Sequence, residues 1–429
     1  MNILIRGAKI VNFDSIVEAD IFIHNSRIAK IGEISEEPDK IIDAKGKFIL
    51  PGLIDMHTHL RTPGREDEED LWSGSKAAAK GGFTTIFCMP NTNPALDNQG
   101  QVNWLLEEAE KVGIVEILPV GAITKGREGK ELSEFGMLKQ AGCLCLSDDG
   151  NPLEDSSLLR RALEYAKMYG LLIISHCEDK NLSASGSLRE HLISSKYGVE
   201  GIPWASESIA VFRDIELARY LDTKIHIAHV SSKRSLQIIK RAKEEGIKVS
   251  CETAPHYFIL TIEDLEKSHF HPNFKVNPPL GDREDLEAIR EGLKEGVIDC
   301  IATDHAPHSQ GEKELPFEEA PPGVIGLELA FSLSYTYLVK RQILDLKDLV
   351  KLMSYNPANI LGLKDRGYIK EGAWADLVII DLSKSWQVLP HKLFSKSKNT
   401  PFIGHTLEGV VEYTISRGKI VYTKKNKNG

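Results

Sequence analysis

GLIDMHTHLRTPG, residues 52–64, closes an apolar run with two histidines one residue apart and then an arginine. In an extended strand, side chains two apart share a face, so His57 and His59 point the same way. Two neutral imidazoles aimed at one point suit a divalent metal, zinc first. What fold holds them depends on whether this strand stands alone or begins a series. Apolar runs rich in β-branched residues follow at about 83–89, 116–121, 143–147, 171–176, 224–229, 247–252 and 298–303. Between most of them lie helical patterns such as SLLRRALEYAKMYG and EDLEAIREGLKEG. Eight buried strands separated by helices predict an α/β architecture, a (β/α)8 TIM-type barrel rather than an open doubly wound sheet. In such barrels the C-terminal strand ends carry the active site.

The two chain ends read differently. ILIRGAKIV and DIFIHNSRIAKIG near the start, and ADLVIIDL and GVVEYTISRGKIVYT near the finish, alternate apolar and polar positions. They predict a small β-sandwich domain formed by both ends, residues 1–50 plus 365–429, around a metal-binding barrel at 51–364. The tail KKNKNG reads as a frayed polar end.

Bulk properties narrow the class. With 429 residues, 41% hydrophobic and 27% charged, the chain can bury a large core as a soluble enzyme. A formal net charge of −9 argues against a surface that tracks nucleic-acid phosphates. No apolar run of about 18 residues and no secretory leader pattern is present, so neither membrane nor export is expected. Six scattered cysteines suit a reducing cytoplasm and form no disulfide framework. A phosphate-loop reading fails, because Gly121-x4-Gly126 is followed by Arg127 rather than by lysine and a hydroxyl residue.

The remaining strand tips carry the same residue types. LLIISHCED ends at His176, KIHIAHVSS at His229, CLCLSDDG at Asp148 and Asp149, and VIDCIATDHAPH at Asp304. With His57 and His59 these exceed what one tetrahedral zinc needs, which points to two ions with a bridging carboxylate. Strand spacing leaves Asp148 and Asp149 as alternatives for that bridge. His226 and His305 fall out of phase with their neighbours and read as structural, as does His256. Cys177 beside His176 faces the opposite way, so a cysteine nucleophile is not expected.

These residues, with DMHTHLRTPG, GGFTTIFCMPNTNP, HCED, HVSS, CETAPHYF, KVNPPLG, ATDHAPHS and APPGVIGLE, resemble the dihydroorotases of the metal-dependent amidohydrolase superfamily. The resemblance covers nearly the whole chain. It implies reversible cyclisation of N-carbamoyl-L-aspartate to L-dihydroorotate, with Zn2+ as cofactor, one or two ions per subunit, two preferred. It further implies that His57, His59 and Asp304 hold one ion, His176 and His229 the other, and Asp149 bridges them where many relatives use a carboxylated lysine. By the same likeness Asp304 moves the proton, Arg61, Asn91 and His308 hold the substrate carboxylate, and Asn277 with Pro322 and Gly323 holds the ring amides. A homo-oligomer, and association with aspartate carbamoyltransferase, are expected partners. Competing readings are another cyclic amidohydrolase of the hydantoinase, dihydropyrimidinase or allantoinase kind, and a weakly active structural partner of aspartate carbamoyltransferase.

Overall fold

The computed structural model describes residues 2–424, and the polar tail from residue 425 onward lies outside the described residues. Eight barrel strands run Leu53–Thr58, Phe83–Cys88, Glu116–Ala122, Cys145–Ser147, Leu172–Ser175, Ile225–Ile227, Val249–Thr253 and Cys300–Ile301. They pair in parallel and in chain order. A parallel bridge between Thr58 and His305 brings the eighth strand back to the first. There the His59 N–H donates to the His305 carbonyl at 2.8 Å.

The period of two in the strands sorts side chains into two layers. Val120, Cys145, Leu172, Ile174, Ala228 and Cys300 share one buried cluster. Their strand neighbours Ile117, Ile173 and Ile227 pack in another, against Leu159, Ile239 and Ile289 of the surrounding helices. Those helices start where the sequence supplies caps. Asp70, Asp155 and Asp282 accept backbone N–H groups at the starts of Leu71–Gly81, Ser156–Tyr169 and Arg283–Glu295. Each such cap is worth about 1 kcal/mol.

Both chain ends build one mixed sheet. Phe48–Pro51 pairs antiparallel with the start of Leu377–Gln387, joining the two ends of the chain. Asn2–Val11 shifts register between Ile5 and Ala8, and its two halves pair with Lys40–Asp43 and with Phe48–Ile49. Around this curled sheet Ile3, Ile21, Ile42, Leu377 and Ile415 form a core of their own. All six cysteines are free and buried. Among the described residues, no helix is long and apolar enough to cross a membrane.

Candidate active site

The C-terminal strand ends converge on Asp149. One of its oxygens, Oδ1, lies 3.3 Å from His57 Nε2, 3.3 Å from His229 Nε2 and 3.5 Å from His176 Nδ1. Its Oδ2 is 3.4 Å from His59 Nε2. Asp304 Oδ1 lies 3.2 Å from His59 Nε2 and 3.6 Å from His57 Nε2. His176 Nδ1 and His229 Nε2 are 2.8 Å apart. All six residues are buried.

Asp148 and Asp149 have separate positions. Asp148 turns back to the segment just after the third strand, where it accepts from the backbone N–H of Ile123 at 2.8 Å, that of Thr124 at 3.1 Å, and the Thr124 hydroxyl. Arg127 donates to the Asp149 carbonyl and steadies the turn that carries both aspartates.

Backbone conformation explains how six side chains meet. Arg61, His229 and Asp304 are non-glycine residues with φ of 60°, 35° and 48°. Left-handed conformations of this kind are uncommon and cluster at functional sites. At His229 the turn resets the strand phase, so His226 and His229 both reach the buried interior although three residues apart. The expectation that His226 lies on the far face is corrected accordingly: its Nε2 reaches Glu252 Oε2 at 3.2 Å. His305 does turn away, accepting from the Gly326 N–H at 3.1 Å.

Electrostatics favour positive charge at the centre. Burial opposes ionisation of Asp149 and Asp304, yet the facing imidazoles hold both carboxyls well below the usual range. Burial also disfavours a charged imidazole at His57 and His176. Asp149 and Glu252 nevertheless raise His57 well above its ordinary value, and Asp149 and Glu178 raise His176 to about 9. His57 Nε2 and His229 Nδ1 are buried without a hydrogen-bond partner. Imidazole nitrogens crowded around carboxylate oxygens, some without partners, are a donor set that fits a metal cation. Geometry groups them as His57, His59 and Asp304, and as His57, Asp149 and His229.

Beside this cluster opens a cavity of about 320 Å³, lined by Arg61, Asn91, Asn277, Asp304, His308, Pro322 and Gly323 among others. Arg61 Nε donates to the Pro307 carbonyl at 3.1 Å and ion-pairs with Glu68 Oε2 at 3.0 Å, and of its terminal nitrogens Nη2 lies 3.4 Å from His308 Nε2 on the cavity wall. Glu68 also accepts from His308 Nδ1 at 2.9 Å. The left-handed Gly323, φ 141°, lets the chain pass close to His308; a Cβ there would lie 2.9 Å from His308 Nε2.

Several residues of the site were not singled out from the sequence. Lys180 lines the cavity and donates to Glu178 Oε2 at 2.8 Å. Glu178 also accepts from His176 Nε2 at 2.9 Å and from Asn277 Nδ2 at 3.2 Å. Glu252 accepts from His57 Nδ1 at 2.7 Å, and His59 Nδ1 donates to Asn91 Oδ1 at 2.7 Å. The only signal for the two glutamates was an acidic residue within an otherwise apolar strand or strand end. Cys177 takes no part: burial pushes its thiol well up, and it faces Ser175 and Asp214.

The site fits what similar proteins are named. A family model described as dihydro-orotase-like matches residues 46–235, and one described as amidohydrolase family matches 211–422. A dihydroorotase of Geobacter metallireducens is 48% identical over 99% of this chain and 100% of its own length. One of Caldicellulosiruptor saccharolyticus is 48% identical over 98% of each chain. Among solved structures, the L-hydantoinase (dihydropyrimidinase) of Arthrobacter aurescens superposes with a TM-score of 0.88 at 27% identity, covering 99% of this chain and 96% of that one. The dihydropyrimidinase of Brevibacillus agri NCHU1002 gives 0.87 at 26%, with the same coverage. The fold is thus shared with other cyclic-amide hydrolases, while sequence identity over the full length separates them: the chain belongs to the dihydroorotase family of the amidohydrolase superfamily.

Proposed function

We propose that this protein catalyses the reversible, zinc-dependent interconversion of N-carbamoyl-L-aspartate and L-dihydroorotate in pyrimidine biosynthesis. The observation that carries the reading is the convergence of Asp149, Asp304 and four imidazoles beside a cavity whose wall presents a partly buried arginine. His57, His59 and Asp304 would hold one zinc, and His176 and His229 a second, with Asp149 between them. When bound, zinc polarises the amide carbonyl and lowers the pKa of water to near neutrality.

The chain's own groups supply the rest. Arg61 grips the substrate carboxylate through its terminal nitrogens, a planar and bidentate match, with Asn91 and His308 beside it. Asn277 and the backbone of Pro322 and Gly323 hold the ring amides. Asp304, kept ionised by its imidazole neighbours, takes a proton from the attacking water and delivers it to the ring nitrogen as the C–N bond breaks. In the synthetic direction the same carboxylate returns the proton, and water leaves.

Hydantoinases share the fold, but a ring without a carboxylate would forgo the contact to the terminal nitrogens of Arg61, leaving the guanidinium with Glu68 alone. That cost favours dihydroorotate over hydantoin. Assays of the purified protein against dihydroorotate, carbamoyl-aspartate, hydantoin and allantoin test the assignment. Turnover of hydantoin or allantoin with none of dihydroorotate overturns it. The reading extends to a cytoplasmic enzyme, supported by six free buried cysteines. It also extends to assembly as a homo-oligomer or with aspartate carbamoyltransferase, supported by exposed Trp204, Ile209 and Phe212 on one groove. Size-exclusion chromatography with and without that enzyme tests this.

A further inference from the structure

Glu252 is only 1% exposed, yet both of its oxygens are engaged by imidazoles from other strands. Oε1 accepts from His57 Nδ1–H at 2.7 Å and Oε2 from His226 Nε2–H at 3.2 Å. An ionised carboxylate can only accept, so these contacts fix the tautomer of both rings. His226 Nδ1 is left as an acceptor, and the Ser250 hydroxyl donates to it at 2.7 Å. His57 Nε2 is thereby the nitrogen turned inward and free to hold a cation; it is buried without a hydrogen-bond partner, 3.3 Å from Asp149 Oδ1 and 3.6 Å from Asp304 Oδ1. The line Ser250–His226–Glu252–His57 therefore runs from the sixth and seventh strands to the centre of the site on the first. His59 is oriented at the corresponding nitrogen by a neutral amide, Asn91, at 2.7 Å. Of these two histidines, only His57 has a negative charge directly behind it.

We propose that Glu252, braced by His226 and Ser250, is the positioning residue of the cation site: it locks the His57 ring with Nε2 inward and strengthens that nitrogen as a donor. The inference rests on the cation reading given above. Carboxylate partners behind metal-ligating histidines typically change metal affinity 10- to 100-fold.

Two substitutions separate orientation from charge. In Glu252→Gln the amide oxygen still accepts from His57, while the amide N–H can be met by His226 in its other tautomer, donating to Ser250. Orientation survives and the negative charge is lost. Glu252→Ala removes both. Zinc affinity, measured by competition with a chromophoric chelator, should fall about 10-fold for Gln and about 100-fold for Ala. His226→Leu, which removes the brace, should fall between wild type and Ala. Thermal melting of the metal-free proteins is followed in parallel. A purely structural role would lower the melting temperature of metal-free Glu252→Gln and His226→Leu and leave zinc affinity at the wild-type value, and that result overturns the proposal. Should Glu252→Ala fail to fold, the other two variants carry the test. Zinc binding by wild type with equal affinity in the variants refutes only this inference. Failure of wild type to bind zinc refutes the cation reading as well.

Discussion

Replacing Arg61 by methionine removes the cationic end of the cavity while keeping the bulk of an unbranched stem. The Nε edge of Arg61 is committed to Glu68 and the Pro307 carbonyl, so the substrate carboxylate would meet the two terminal nitrogens. Hydrogen bonds to charged groups contribute about 1.5–3 kcal/mol each, so losing two costs about 3–6 kcal/mol, roughly a hundredfold to ten-thousandfold or more in kcat/KM. The fold should suffer less. Glu68 keeps Arg65 at 3.2 Å and His308 at 2.9 Å. The melt should therefore report about 1–2 kcal/mol, below the 3–5 kcal/mol of a stranded buried charge. Initial rates with dihydroorotate and with carbamoyl-aspartate give the first measurement. Dihydrouracil, the same ring without the carboxylate, gives the second, because its rate should not change and the preference for dihydroorotate should collapse by the same factor. An unchanged kcat/KM for both carboxylate substrates refutes the assignment.

The other perturbations address the metal cluster and the cavity wall. Asp304→Asn should reduce turnover to below about one part in a hundred, in line with loss of a general acid–base, while zinc content by elemental analysis stays near that of wild type. Asp149→Ala should lower zinc content. Asp148→Ala should instead keep zinc and lose about 2–4 kcal/mol in chemical denaturation, because three donors on Ile123 and Thr124 lose their acceptor. Gly323→Ala puts a methyl group 2.8 Å from Ala306 Cβ and 2.9 Å from His308 Nε2 at a strained φ, so KM for dihydroorotate should rise at least several-fold with the fold retained. Steady-state kinetics beside a thermal melt reads both.

Much of this site was legible because a strand's period of two is a strong constraint. His57 with His59, and His176 following Leu172 and Ile174, could be placed from spacing alone. Strand spacing misleads where the backbone leaves the extended region. Nothing in KIHIAHVSS announces a φ of 35° at His229, and without it His226 is assigned to the wrong face. Spacing could not choose between Asp148 and Asp149 either, since the choice depends on Thr124, just past the end of the third strand, capturing the first of them. Glu178 and Glu252 stayed hidden for a related reason. Their partners include His226, Asn277 and His57, the last 195 residues away in sequence, and periodicity carries no such long-range pairing. The eight barrel strands were visible because they are short apolar runs with helical patterns between most of them. The sheet that joins both chain ends was visible as alternation at either end.

The dependence of turnover on bound metal tests the site most directly. Protein stripped with a chelator should lose dihydroorotate hydrolysis, and added zinc should restore it in proportion to ions retained, saturating at one or two per chain, with two expected. Equal rates for stripped and zinc-loaded protein would contradict a cation held by His57, His59, Asp149, His176, His229 and Asp304.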